Sequence, residues 1–258
     1  MNLKKLSLLN HPRKINPYIQ NLNIKPKVFI MKLKDYVILT GCSLFMGWAI
    51  VESHPSNIDP LAVGTLAVPQ DTIPKDTQIS VKGLNALFIG DSHTSNHSKG
   101  WQKVLSDSVG FKMDNASVGG KTTYWMIDIA LYKINDKVDY VFVYGGANDM
   151  YSSHITPQAA VDNIKGIARM ATKRGAKCIV LTGFDPYKCT RTKNKAYPSR
   201  YAKFQQLLLT QDMDGAKVVD IRGVVNRLDC WDNLCHMNPN GHRKIGEFLI
   251  LACGFKKI

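Results

Sequence analysis

The sequence predicts an α/β protein, a three-layer α/β/α sandwich built on a five-stranded parallel sheet. Two observations predict it. From residue 84 onward short β-prone runs alternate with helical stretches, the pattern of a parallel sheet covered on both faces. The chain, 258 residues with 45% hydrophobic residues, is also long enough to bury one sizeable core and still carry appendages. It has neither repeats nor low-complexity tracts, so one globular unit is expected.

Taken in order, Leu84-Asn85-Ala86-Leu87-Phe88-Ile89 is an apolar run suited to a buried strand, and it stops at Gly90-Asp91-Ser92. Gly100-Trp101-Gln102-Lys103-Val104-Leu105 begins a helix that ends near Gly110, and Phe111 to Ala116 supply a shorter second strand. Gly119-Gly120 breaks the chain before Thr123 to Ile134, helical by its apolar spacing. Tyr140-Val141-Phe142-Val143-Tyr144 is the most β-prone run and ends at Gly145-Gly146. Pro157 opens a helix through Val161, Ile164, Ile167, Ala168 and Ala171, which Gly175 closes. Lys177 to Thr182 is the fourth strand, Arg200 to Leu209 the fourth helix, Lys217 to Ile221 the fifth strand, and Asn238 to Ala252 the last helix.

Three segments precede this domain of residues 84–258. Residues 1–35 form a basic tail in which Lys4, Lys5, Arg13, Lys14, Lys25, Lys27, Lys32 and Lys34 face only Asp35, about half of the formal net charge of +14. Beside an apolar stretch such a tail reads as the cytoplasmic flank of a membrane segment, and no nucleic-acid partner is expected. Residues 36–51 carry no charge. As a hydrophobic helix they span roughly 24 Å, against roughly 30 Å of hydrocarbon. The expected role is a signal anchor holding the domain at a membrane, outside the cytoplasm. A signal cleaved near Gly47-Trp48-Ala49 is the alternative, and Leu39-Thr40-Gly41-Cys42 is similar to a lipobox. Residues 52–83, with Pro55, Pro60, Pro69 and Pro74, read as a linker.

Four pieces punctuate the domain at strand ends or at the start of the last helix. They are Gly90-Asp91-Ser92, the stretch from Asn115 to Thr123 that contains Gly119-Gly120, Gly146-Ala147-Asn148-Asp149, and the stretch from Cys235 to His242. Strand carboxyl ends of an open α/β sheet share one edge, so the four can converge on one cleft. Their chemistry fits acyl transfer. Ser92 supplies a hydroxyl nucleophile and His236 a base. The backbone N–H groups of Ser92 and Gly120 and the side-chain amide of Asn148 supply donors for an oxyanion. Neither metal nor cofactor is called for.

In order and content these pieces resemble the SGNH hydrolases, the GDSL esterase and lipase superfamily, over roughly residues 84 to 252. The resemblance implies the flavodoxin-like SGNH fold and a serine esterase that hydrolyses carboxylic esters through an acyl-enzyme. Ser92 would be the nucleophile, Gly120 and Asn148 oxyanion donors, and His236 the base. The family usually places its aspartate three residues before the histidine, where this chain has Asn233. Asp232, four before, is named as third member of the triad, and a Ser-His dyad is the alternative. A small-molecule or glycan ester is the expected substrate, with an O-acetylated envelope or wall glycan foremost. A non-catalytic glycan-binding protein on the same fold, and an O-acyltransferase using the same residues, are the rival readings.

Other residues have other readings. His93, His97 and His154 read as polar loop groups, with a substrate contact by His93, which adjoins Ser92, as the alternative, and His242 packs or caps at the last helix. Cys230, Cys235, His236 and His242 have the residue types of a zinc site, but zinc would remove the base. Cys178 and Cys253 read as buried thiols. Cys189, Cys230 and Cys235 fall in loops, with a Cys230–Cys235 bridge, a pairing through Cys189 and a free Cys235 all open.

Overall fold

A computed structural model of the protein describes residues 77–95, 99–185, 187, 194–231 and 236–258. The basic tail, the segment 36–51 and most of the linker lie outside these residues, as do Asp232, Asn233, Cys189 and Cys235. Five strands, β1 (Asn85–Gly90), β2 (Lys112–Asn115), β3 (Tyr140–Tyr144), β4 (Lys177–Leu181) and β5 (Lys217–Val219), form one sheet in the order β2-β1-β3-β4-β5. Every pairing is parallel, with Phe88 opposite Asn115 on one side and opposite Phe142 on the other. The five-stranded α/β sheet expected from the alternating pattern is therefore present.

Among the described residues six α-helices connect and cover the strands: α1 (Trp101–Val109), α2 (Thr123–Lys133), α3 (Ala147–Tyr151), α4 (Pro157–Lys173), α5 (Tyr197–Thr210) and α6 (Pro239–Cys253). α1 packs on α6, while α4 packs between α2 and α5. The two helical layers follow from the strand order. The chain goes outward from β1 to β2, crosses back to β3 and continues outward on the other side, so right-handed connections fall on opposite faces.

The central strands are apolar throughout because both faces are covered. All of β3 and all of β1 after Asn85 are buried. Phe142 has no exposed surface and stacks on Phe88 at 4.8 Å. Phe142→Ala is expected to lower stability by about 3–5 kcal/mol, read as a lower urea midpoint at unchanged slope.

Helix ends follow local chemistry. Thr156 caps α4 by accepting from the Ala159 N–H, Pro157 occupies the first turn, and the Asn238 side chain accepts from the N–H groups of Asn240 and Gly241 at the start of α6. The structure departs from the sequence reading in several places. α5 starts at Tyr197 rather than Arg200, because Tyr197, Tyr201, Phe204 and Leu208 form a buried stripe that draws in one more turn. α3 and a 3₁₀ turn at Arg227–Asp229 are too short to show a hydrophobic period. The end of the segment read as linker joins the domain: Val81 is buried, and Ile79 pairs with the backbone of Gly254 and Lys256.

Candidate active site

The strand order 2-1-3-4-5 has its topological switch point between β1 and β3, where ligands of open α/β sheets bind at the carboxyl edge. Gly90-Asp91-Ser92 leaves β1 at this point, and Gly146-Ala147-Asn148-Asp149 leaves β3 beside it. Ser92 is half-buried, and its Oγ lies 2.9 Å from His236 Nε2 across 144 positions of sequence. That is the distance of a hydroxyl bonded to its base.

The turn that carries Ser92 is held from several sides. The Asp91 carbonyl accepts from the N–H groups of Thr94 and Ser95. Trp101 Nε1 donates to the His93 carbonyl at 3.2 Å, and Gln102 Nε2 and Asn115 Nδ2 both donate to the Thr94 carbonyl at 2.8 Å. Turn carbonyls near Ser92 that helix or sheet bonding would leave open are thus satisfied by side chains from α1 and β2. Gly90 permits the close approach of the two strand ends, since a Cβ there would stand 2.3 Å from the Tyr144 carbonyl oxygen.

The Gly119-Gly120 loop lies against this turn. The place of a Cβ on Gly119 is 3.7 Å from Ser92 Cβ, and Gly120 takes a left-handed φ of 75° that favours glycine. Asn148 Nδ2 donates to the Lys121 carbonyl at 3.0 Å, which seats the amide beside Gly120. Next to it Asp149 is buried and accepts from the backbone and hydroxyl of Thr123, tying α3 to α2. Burial pushes the Asp149 pKa above the ordinary carboxylate value, with the Thr123 bonds pulling the other way. Its tie to Thr123 carries no sequence signal beyond the acidic residue itself.

Backbone bonds hold the chain around His236. Cys230 and Met237 form an antiparallel bridge, the Trp231 N–H donates to the His236 carbonyl, and Asn238 N–H donates to the Asp229 carbonyl. Partial burial lowers the His236 pKa below the usual 6.5, so its ring is neutral and able to accept a proton at neutral pH. Asp229, seven residues earlier, is committed elsewhere. Its carboxylate takes bonds from the Asn226 N–H, Asn240 Nδ2 and Lys244 Nζ. Burial alone would raise its pKa, but these donors outweigh it and hold the group below the ordinary value.

The structure thus brings Ser92, His236, Gly120 and Asn148 to one edge, while Asp232 lies outside the described residues. His93 differs from the polar loop group expected: it is 2% exposed, stacked on Tyr144 and edge-on to Phe184, and so packs in the core. Its ring does approach His236, at 5.4 Å between centroids. Burial first, then the neighbouring His236 and His242, lower its pKa to about 3, which keeps it neutral. His242 packs as expected, its Nδ1 accepting from the Trp101 N–H. Cys178 is buried as expected, whereas Cys253 is half-buried; burial raises their thiols to about 12 and about 11, with Lys217 pulling Cys253 the other way.

An apolar cavity of about 420 Å³, lined in part by Tyr140, Lys177, Cys178 and Lys217, opens at the amino ends of β3 to β5. That is the opposite edge of the sheet from Ser92, and it holds no nucleophile–base pair. The chemistry therefore locates the site where volume does not.

A family model described as the GDSL-like Lipase/Acylhydrolase family matches residues 88–244. No curated protein matches the chain. Among solved structures, an acetylxylan esterase from Geobacillus stearothermophilus is 15% identical with a TM-score of 0.55, the match covering 69% of this chain and 98% of that one. An α/β hydrolase enzyme from the metagenome of Lake Arreo, Spain, is 18% identical with a TM-score of 0.55, covering 67% of this chain and 96% of that one. A member of the lipolytic G-D-S-L family from Veillonella parvula is 15% identical with a TM-score of 0.53, covering 66% of this chain and 97% of that one. At these identities the structural likeness is one of fold.

Proposed function

The chain belongs to the GDSL-like lipase/acylhydrolase family as an SGNH-type serine hydrolase of carboxylic esters, and we propose that it acts through an acyl-enzyme formed on Ser92. The observation that carries this reading is the 2.9 Å contact between Ser92 Oγ and His236 Nε2. It also favours catalysis over a glycan-binding role, since binding alone gives no reason to aim a neutral imidazole at a serine hydroxyl.

In the first half-reaction Ser92 Oγ attacks the ester carbonyl carbon while His236 Nε2 takes its proton. The oxyanion accepts from the N–H groups of Ser92 and Gly120 and from Asn148 Nδ2. That amide carries two protons and spends one on Lys121. Collapse breaks the carbonyl–alkoxy bond, and the imidazolium returns its proton to the leaving alcohol. Water then attacks the acyl-serine by the same route, releasing the acid and restoring Ser92. Asp232 is proposed to orient the imidazole, on the strength of its place four residues before His236. Removing one oxyanion donor, Asn148→Ala, should lower kcat by about 10²–10³-fold. Activity should be lost on the acid side only as pH falls below 6.5, because His236 must be neutral and its pKa lies under that value. A pH–rate profile of kcat/KM checks this.

For substrate we propose an O-acetylated glycan of the cell envelope, met by a domain tethered outside the cytoplasm through residues 36–51. The apolar segment, the basic tail and the fold shared with an acetylxylan esterase support this. The purified full chain, assayed on p-nitrophenyl acetate and butyrate and for acetate release from acetylated xylo-oligosaccharides, tests it. Preference for acetate and release from the glycan are expected. Preference for butyrate with no release from the glycan would remove the substrate proposal and leave the esterase. Acetate moved to a sugar acceptor instead of water would make the protein an acyltransferase with the same machinery.

A further inference from the structure

The helix that carries Asn148 is one turn long, and the bonds that fix its far end come from another helix. α3 has five residues, too few to hold its own direction in water. The carbonyls at and beyond its last turn need partners from elsewhere. Arg200, half-buried on α5, supplies them. Its Nε donates to the Met150 carbonyl at 3.0 Å, while Nη2 donates to the Ser152 carbonyl at 2.7 Å and to the Ile155 carbonyl. These bonds are charge-assisted, and a cation suits the carbonyl end of a helix. The same side of α5 meets α3 at two more points. Tyr197, three residues before Arg200, stacks on Tyr151 at 4.2 Å between ring centroids. Phe204, four residues after Arg200, lies against Gly146 at the start of α3, where a Cβ would stand 2.5 Å from the ring's Cζ. Spacings of three and four put the three side chains on one face of α5.

We propose that Arg200 is a positioning residue: by gathering the carbonyls of Met150, Ser152 and Ile155 it fixes α3 on α5, and so fixes Asn148 beside Gly120 for the oxyanion. The inference rests on the catalytic reading of Ser92 and Asn148 given above. Ring contacts such as those of Tyr197 and Phe204 let two helices slide, whereas a planar guanidinium bonded to several carbonyls sets direction as well as distance. Asn148 lies two residues before Met150, so a shift of the Met150 carbonyl reaches it within a single turn. The 3.0 Å bond from Asn148 Nδ2 to the Lys121 carbonyl is the contact such a shift loosens first. Misplacing a reacting group by about 1 Å costs about 100-fold in rate. An oxyanion donor acts on charge that develops in the transition state, so the loss falls on kcat and spares substrate affinity.

The test makes Arg200→Met and Arg200→Lys in the full-length chain, each alone and together with Asn148→Ala. Folding is read by circular dichroism, kcat and KM on p-nitrophenyl acetate, and the serine by labelling with a fluorophosphonate. Arg200→Met keeps the stem and loses every donor. It is expected to fold and to lose about 10- to 100-fold in kcat with KM within about threefold. Arg200→Lys keeps the charge without the fork and should recover part of that loss. In the Asn148→Ala background either substitution should change kcat by less than about threefold, because the donor that Arg200 positions is already gone. A merely structural role would lower kcat equally in both backgrounds. That equal loss, or a folded Arg200→Met with wild-type kcat, overturns the inference and leaves the esterase reading intact. Wild type that neither turns over nor labels overturns both. If Arg200→Met does not fold, Arg200→Lys decides. A loss of at least about fivefold that disappears with Asn148→Ala supports the proposal, and a smaller loss or one equal in both backgrounds overturns it.

Discussion

Ser92→Ala is expected to abolish ester hydrolysis, lowering kcat by at least about 10⁴-fold while leaving the fold unchanged. The substitution removes one oxygen whose described side-chain partner is His236 Nε2, at the carboxyl end of a strand already fixed by its pairings to β2 and β3. The turn itself is held through its backbone, by Trp101, Gln102, Asn115 and Asp91, none of which touches the Ser92 hydroxyl. The melting temperature should therefore move by no more than about 2 °C, the scale of a neutral surface change of about 0.5 kcal/mol. Whatever hydrolysis remains would come from oxyanion donors acting on a water molecule. Steady-state rates on p-nitrophenyl acetate, set beside the circular dichroism melt, separate the two effects.

Gly90→Ala is expected to damage both stability and activity. A Cβ at this position would stand 2.3 Å from the Tyr144 carbonyl oxygen and 2.7 Å from Thr94 Oγ1, and the first of these is backbone that cannot swing aside. Relief requires β1 and β3 to part at their carboxyl ends. Ser92 follows two residues after Gly90, and Asn148 follows four residues after Tyr144, so the parting separates the proposed nucleophile from the proposed oxyanion donor. Overpacking of this kind costs about 1–3 kcal/mol and here lies at the upper end, because strand backbone must move. A displacement of about 1 Å adds about 100-fold in kcat among the molecules that fold. Urea denaturation gives the first quantity. Turnover per fluorophosphonate-titrated site gives the second, and full activity per site would show that the strands can part without moving Ser92.

Much of the fold is legible in the chain because the parallel sheet writes itself as short apolar runs. β1, β3 and β4 were each visible as unbroken stretches that end at glycine or threonine, and α4 showed both its proline start and its apolar spacing. Elements shorter than about two turns carry no period, which hid α3 and the 3₁₀ turn. Val81 escaped because a single apolar residue between polar neighbours has no pattern, and its burial is decided by what packs on it.

The site divides the same way. Ser92, Gly120, Asn148 and His236 are legible because acyl transfer calls for those residue types, here at strand ends and just before the last helix. Trp101 and Gln102 are not, since nothing in two residues at a helix start marks them as donors to a turn eight positions earlier. The burial of His93 is not legible either, because a polar residue in a turn gives no sign of the Tyr144 and Phe184 rings that tertiary structure packs against it. The burial of Asp91 is likewise a property of tertiary structure alone, with no mark in the sequence around it.

The account stands most directly on Ser92 being a nucleophile activated by His236. Full-length protein treated with a fluorophosphonate and digested for peptide mass spectrometry measures this. The expected result is one equivalent of adduct on Ser92, formed with loss of esterase activity and slowed by about 10²-fold or more in His236→Ala. Activity that survives complete labelling, or an adduct on a serine other than Ser92, would contradict it.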